Sequence, residues 1–330
     1  MQRLTASRAR GLLEGMRRVR ALVVGDLMLD VYLRGAASRI SPEAPVPVVR
    51  VTEAWRALGG AGNVASNVMA LGGACEVVGL VGTDAEGAAV REELERQGVG
   101  GSGVVVSDER PTTLKTRIMA RQQQVARYDR EREEDVDPAT AARVVAAIDR
   151  LGPACDVLVL EDYDKGVLVS AVIEAALDTG RRHGRPVVVD PKANHFFDYR
   201  GATLFKPNRG ELSAALRAPV LADDAEWLER TRRHLDCSHL LVTLGEDGMA
   251  LMTESGDYLR VPTVARSVYD VSGAGDTVTA VLALALGAGA TPAEAAVLAN
   301  HAAGIEVGKA GVATVTGGEL LDAVSAARDT

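Results

Sequence analysis

Short, unbroken apolar runs that end in a charged residue recur along this chain. Ala21-Leu22-Val23-Val24-Gly25-Asp26, Asp156-Val157-Leu158-Val159-Leu160-Glu161 and Pro186-Val187-Val188-Val189-Asp190-Pro191-Lys192 are the clearest. A strand that is apolar along its whole length is covered on both faces, as in a parallel sheet between helices. Further strands read at 75–81, 103–106 and 203–208, with helices at 84–97, 138–150 and 169–182 between them. Such alternation predicts an α/β fold: a mostly parallel sheet flanked by helices, with ligands at the carboxyl ends of its strands. Those ends carry Asp26, Glu161, Asp162, Asp190, Lys192, Lys206 and Asn208.

Two blocks break the alternation. From Tyr32 to Val51 the chain is short polar and β-branched pieces, with Pro42, Pro45 and Pro47 forcing extended backbone and 45–51 reading as an edge strand. Strands at 112–119 and 125–129 follow, joined by a turn at 121–124. We expect one domain over 1–330, with a small projecting sheet inserted at about 33–52 and 110–130 that covers a site. Helices are further expected at 5–18, 208–217, 292–307 and 317–327, with a strand, turn and strand at 240–251 and another antiparallel segment at 257–261.

The length of 330 residues suffices for a large core, and the net charge of −8 argues against a general nucleic-acid binder. The apolar run from Val278 to Leu286 falls far short of the roughly 20 residues that span a membrane. Cys75, Cys155 and Cys237 are too far apart for a zinc motif and odd in number for a disulfide framework, so a cytoplasmic protein is the expectation. His183, His195, His234, His239 and His301 show no metal-ligand spacing.

Gly273-Ala274-Gly275-Asp276 stands between Asp270-Val271-Ser272 and Thr277, just ahead of that apolar run. Two glycines that tolerate positive φ, with only a methyl between them, let successive N–H groups turn into one concavity at a helix N-terminus, a setting for an anion. Asp276 then falls in the first helical turn, where the dipole holds a carboxylate ionised and its pKa low. Beside amides that bind transferring phosphate oxygens, that carboxylate can orient or deprotonate an attacking hydroxyl. Alone, the segment also fits a helix-capping aspartate.

Gly60-Ala61-Gly62-Asn63-Val64-Ala65 matches the dinucleotide fingerprint superficially, but 53–58 does not read as the strand that fingerprint requires. A backbone-rich loop approaching a sugar, with amides from Asn63 and Asn67, is the better reading. Asp26 and Asp30 are either ligands for a polyhydroxy compound or loop-starting aspartates. Asn208 and Glu211 are either a helix capping box or a pair that holds hydrated Mg²⁺ near phosphates. Gly245 and Gly248 let a nucleotide lie on the backbone, or serve only their hairpin. Lys115, Arg117, Arg121, Arg127 and Lys165 are the best cation supply for a substrate phosphate, against the alternative of edge-strand protection.

Together these segments resemble something specific. Gly59 to Ala65, Lys206-Pro207-Asn208-Arg209-Gly210-Glu211, Thr243-Leu244-Gly245-Glu246-Asp247-Gly248 and Asp270 to Thr277 resemble, in order and spacing, the ribokinase-like (PfkB) carbohydrate kinases. Val24 to Tyr32, Arg39 to Val48, Asp162-Tyr163-Asp164-Lys165-Gly166 and Val189-Asp190-Pro191-Lys192 look like the members that phosphorylate D-glycero-D-manno-heptose 7-phosphate. The chain ends soon after the kinase motifs, so the likeness is to the stand-alone kinase rather than to forms followed by a nucleotidyltransferase.

The resemblance implies Asp276 as base for the anomeric hydroxyl, with Gly273, Ala274 and Gly275 amides as the anion hole. It implies Asn208 and Glu211 at Mg²⁺ and the ATP phosphates, Thr243, Gly245 and Gly248 along the nucleotide, and Asn300 near the adenine. It implies Asp26, Asp30, Gly60, Asn63 and Asn67 at the sugar, and a monovalent cation, K⁺, near Asp270 and Ser272. A homodimer through the inserted sheet is also implied. The alternatives are a family kinase for another sugar, sugar phosphate or nucleoside, and a nucleotide-binding regulator without catalysis.

Overall fold

The computed structural model describes residues 4–121, 123–265, 268–309 and 311–326. Gln122 of the expected 121–124 turn and Ala327 at the expected end of the last helix lie outside them. The strands are β1 (Arg20–Gly25), β2 (Leu27–Ile40), β3 (Pro47–Gly60), β4 (Ala74–Gly82), β5 (Gly100–Ser107), β6 (Thr113–Ala120), β7 (Gln123–Arg130), β8 (Val157–Glu161), β9 (Val187–Asp190), β10 (Leu204–Phe205), β11 (His239–Thr243), β12 (Met249–Met252) and β13 (Tyr258–Val261). The helices are α1 (Ala6–Met16), α2 (Ala61–Ala70), α3 (Ala85–Arg96), α4 (Pro138–Leu151), α5 (Ser170–His183), α6 (Arg209–Leu216), α7 (Ala225–Leu235), α8 (Ala274–Gly287), α9 (Pro292–Glu306) and α10 (Gly317–Ala326).

Nine strands form the main sheet in the order β13-β12-β11-β10-β9-β8-β1-β4-β5, parallel from β11 to β5 and antiparallel at β12 and β13. Every side chain of β8 and β9 is buried, as expected of strands with helices on both faces. Helices start where side chains cap them. Asp84 accepts from the Gly87 amide (2.9 Å), and Thr291 and Glu294 form a reciprocal box at α9. Helix α8 is buried from Asp276 through Ala285 and packs on α2, α9, β8 and β9. That burial fixes where its first turn lies.

The second sheet, ordered β3-β2-β6-β7, begins earlier than the 33–52 block. β2 and β3 form a long antiparallel ribbon, Leu27 opposite Gly60 at its root and Ile40 opposite Pro47 at its tip. The root is buried and the tip exposed. Tyr32 and Trp55, paired across the ribbon, stack with centroids 5.0 Å apart. Residues 53–58 are therefore strand, contrary to the sequence reading. This strand pairs antiparallel outside the main sheet, so the βαβ unit of a dinucleotide fold is still missing. Helix α7 was not anticipated: Asp224 caps it, and Leu228, Thr231 and Leu235 face inward.

Candidate active site

The carboxyl ends of the central strands and the first turn of α8 meet. Gly273 adopts φ 93°, and a β-carbon there would stand 2.9 Å from Asn63 Nδ2, so only glycine suits this entry to the helix. Asp276 follows in the first turn, 3% exposed. Its Oδ2 accepts from Asn63 Nδ2 (2.6 Å) and its Oδ1 from the Tyr163 hydroxyl (2.7 Å). Burial pushes its pKa up to about 6; the Asn63 and Tyr163 bonds oppose the rise, and the Asp190 charge adds to it. The low pKa expected from the helix dipole is thus not found, because desolvation at this depth outweighs it.

Beside Asp276 lie Glu161 and Asp190, the paired last residues of β8 and β9. One carboxylate oxygen from each of the three falls within 4.8 Å of the other two. Lys206 Nζ reaches Asp190 Oδ2 at 2.8 Å. Burial drives the Glu161 carboxyl well above the ordinary range, and the Asp190 and Asp276 charges push it further.

A cavity of about 660 Å³ opens on this group. Asn208, Glu211, Thr243, Gly245, Gly248 and Asn300 all line it, with Ala274 and Gly275 at its inner end. All six sequence candidates for nucleotide contact therefore meet in one place. Gly248 has φ 84°, and a β-carbon would fall 2.1 Å from Val261 O, whereas Gly245 (φ 62°) faces open space. Asn208 Oδ1 accepts from the Glu211 amide and Glu211 Oε2 from the Asn208 amide, both at 2.8 Å, while Glu211 Oε1 pairs with Lys192. The pair is a capping box that also faces the cavity. Asn300 Nδ2 donates to Pro262 O (2.8 Å), and the Ala274 amide leans toward Val271 O (3.4 Å).

The residues assigned to the sugar divide. Asn63 bonds Asp276, whereas Asn67 is wholly buried, donating to Asn63 O (3.0 Å) and accepting from Thr277 Oγ1 (3.1 Å). Asn67 thus ties α2 to α8. Asp26, 1% exposed, accepts from the backbone amides of Tyr163 (2.8 Å), Lys165 (3.1 Å) and Val167 (3.2 Å). In this structure its carboxylate organises the 163–167 loop. Gly60 has φ 56° at the start of α2, and a β-carbon would lie 2.4 Å from Asp26 O. Asp30, buried in β2, pairs with Arg117, which also covers the Tyr32 ring.

The cations scatter. Lys115 and Lys165 meet at Glu131 (3.9 and 2.9 Å), and Lys165 also pairs with Glu133 (2.9 Å). Arg127 pairs with Asp129 (3.0 Å), and Arg121 sits in the β6–β7 turn at φ 57°. Only Lys115 and Arg117 stand on the strand beside Asp30, in register with it or two residues on.

Asp270 Oδ1 accepts from the Ser272 amide (2.9 Å), so these two fold one loop. Near it lies Glu306, an unpredicted, fully buried residue at the end of α9. Burial lifts its pKa to about 8, the Asp270 and Asp276 charges add to the rise, and the Ala313 amide restrains it. A raised carboxyl keeps its proton in the fold over a range where the unfolded chain has already lost it, so stability falls as pH climbs from the ordinary carboxylate pKa toward 8 and levels off above it. Glu306→Gln should remove this loss of about 1.4 kcal/mol per pH unit. In thermal melts at pH 5.5 to 7.5, equal slopes for both proteins would reject this account.

Tyr163 is the main residue that sequence reasoning passed over. Its ring lies between Lys192 Nζ (5.1 Å) and Lys115 Nζ (5.8 Å), and its hydroxyl holds Asp276. Its place within Asp162 to Gly166 was the available signal. Among the described residues, no helix is long and apolar enough to cross a membrane.

A glycine-entered helix N-terminus, an adjoining buried carboxylate and a cavity at the strand ends belong to a ribokinase-like architecture. Solved structures share it. Arabidopsis thaliana ribokinase complexed with ribose and ATP superposes with a TM-score of 0.71 at 20% identity, covering 93% of this chain and 99% of that one. Escherichia coli phosphofructokinase-2 in complex with potassium gives 0.78 at 18% identity, covering 94% and 98%. Residues 19–316 match the pfkB family carbohydrate kinase description, and the chain belongs to that family. It is 47% identical to the bifunctional protein HldE of Citrifermentans bemidjiense, and 45% identical to that of Geotalea uraniireducens. Each match covers 92% of this chain and 63% of the relative, so the chain spans less than two thirds of their length.

Proposed function

We propose that the protein transfers the γ-phosphoryl group of ATP to O1 of D-glycero-D-manno-heptose 7-phosphate, giving the 1,7-bisphosphate for nucleotide-activated heptose and surface polysaccharide. The observation that carries the transfer is the buried Asp276, in the helical turn whose Ala274 and Gly275 line the cavity. The heptose rests on the motif resemblance around Asp26, Asp162 to Gly166 and Asp190.

Asp276 takes the O1 proton as the O1–P bond forms and the bond from the γ-phosphorus to the β-γ bridging oxygen breaks. ADP then leaves with its charge intact. The amides at Gly273, Ala274 and Gly275 receive the migrating phosphoryl oxygens. Tyr163 and Asn63 fix the carboxylate, and Lys192, which lines the cavity, meets phosphate charge. Asn208 and Glu211 keep lone pairs for the waters of a hydrated Mg²⁺, which would neutralise the ATP phosphates. K⁺ near Asp270, Ser272 and Glu306, a cytoplasmic setting, and a dimer through the exposed Ile40, Val51, Val125 and Tyr128 of the small sheet belong to the same reading.

Incubation with ATP, Mg²⁺ and a panel of sugars, sugar phosphates and nucleosides tests it. Turnover of ribose or a fructose phosphate with none of the heptose phosphate would reject the substrate, and no turnover of any acceptor would favour a regulator. Tyr163→Phe deletes one charge-assisted bond worth about 1.5–3 kcal/mol, so kcat/KM should fall roughly 10- to 100-fold. That bond favours the anion, so its loss raises the Asp276 pKa. The acid limb of kcat/KM, expected near pH 6, should move up in the variant. An unmoved limb would show that the tyrosine does not act on the base.

A further inference from the structure

The three carboxylates at the sheet edge present more negative charge than their surroundings offset. Glu161, Asp190 and Asp276 are 0%, 5% and 3% exposed. Glu161 has both oxygens without a hydrogen-bond donor, and it lies with the other two inside the 4.8 Å cluster. Asp276 has Asn63 and Tyr163, and Asp190 has Lys206 at 2.8 Å. The other ammonium close by, Lys192, pairs with Glu211. With all three ionised, one committed ammonium leaves two uncompensated negative charges, the charge of one divalent cation. A buried carboxylate without donor or counter-ion costs several kcal/mol, so a fully orphaned Glu161 calls for a partner.

We propose that Glu161 and Asp190, beside Asp276, bind a divalent cation of the Mg²⁺ or Mn²⁺ class directly. Hard oxygen donors in a buried acidic set suit these ions, whose bonds of about 2.1 Å place neighbouring ligand oxygens roughly 3 Å apart and opposite ones about 4.2 Å. The parallel pairing of β8 and β9 sets Glu161 and Asp190 side by side, so two ligands sit on rigid strand ends. The ion is reached from the cavity, since Asp190, Lys206 and Gly275 all line it. A β-carbon built on Gly275 lies 3.8 Å from Asp190 Oδ2, which places the ion next to the amides of the α8 turn. This site is separate from Asn208 and Glu211, whose oxygens are engaged with each other's amides and with Lys192.

Mn²⁺ alone tests it, on metal-stripped protein without nucleotide or sugar, counted by electron paramagnetic resonance at pH 7.5. One bound Mn²⁺ per chain is expected, together with a rise in Tm that saturates with that site. Glu161→Gln should weaken Mn²⁺ binding at least tenfold and abolish the Tm rise, whereas Glu226→Gln, on the exposed face of α7, should leave both within twofold. Asp190→Asn serves as the second ligand variant if Glu161→Gln does not fold. No Mn²⁺ bound by the wild-type protein, or equal binding after Glu161→Gln, would overturn the site and assign Glu161 a proton instead. Because binding is read without substrates, failure here leaves the kinase reading untouched, and loss of kinase turnover leaves the ion site untouched.

Discussion

Asp276→Asn is expected to lower kcat by about 10²- to 10⁴-fold while the Kd for ATP changes by less than about threefold. The side chain keeps its shape and can still accept from Tyr163, so the first turn of α8 and its amides should stay in place. What disappears is the proton acceptor. Removing an interaction that acts only as the hydroxyl is deprotonated lowers kcat and kcat/KM together. The six residues proposed to meet the nucleotide line the cavity from other elements, namely α6 with its cap, the β11–β12 hairpin and α9. Calorimetric ATP titration and single-turnover phosphoryl transfer read the two effects separately. Turnover within threefold of the wild type would remove Asp276 from the role of base. A large loss of ATP affinity would show that the residue holds the cavity together instead.

The main sheet was legible because strands covered on both faces leave no room for polar residues until they end, so Val157–Glu161 announces both its burial and its terminus. The Gly273–Asp276 turn was legible for a related reason, since close approach of backbone demands small residues in a row. Glu53 to Leu58 was opaque: that strand is exposed along most of its length and shows no clean alternation. The Asp276 pKa was misjudged because a first-turn aspartate looks the same in sequence whether the helix end is wet or buried. Contacts between distant segments left least trace. Nothing near Asp26 announces that it will accept three amides from 163–167, and the Tyr163 hydroxyl reaches Asp276 across the fold. The basic residues of the small sheet stood out by charge, while their acidic partners Asp30, Asp129, Glu131 and Glu133 went uncounted.

Lys206→Met should destabilise the fold by about 3–5 kcal/mol, the range found when one member of a buried ion pair is removed. Lys206 is 2% exposed and bonded to Asp190 Oδ2, with the Glu161 carboxyl adjoining. Methionine fills a similar volume, so the cavity contribution is small and the change is chiefly one of charge. Three carboxylates would then face one another with no committed ammonium among them. Protonation relieves such repulsion, so the deficit should shrink as pH falls from 8 toward 5, through the raised pKa values of Asp276 and Glu161. Urea unfolding at the two pH values measures both effects. A deficit below about 1 kcal/mol at pH 8 would mean that the carboxylates are already neutral in the native protein, and one that grows on acidification would reject repulsion as its cause. If they are charged, as the proposed cation site requires, added Mn²⁺ should restore part of the lost stability, because a divalent ion can supply the compensation that the lysine no longer does.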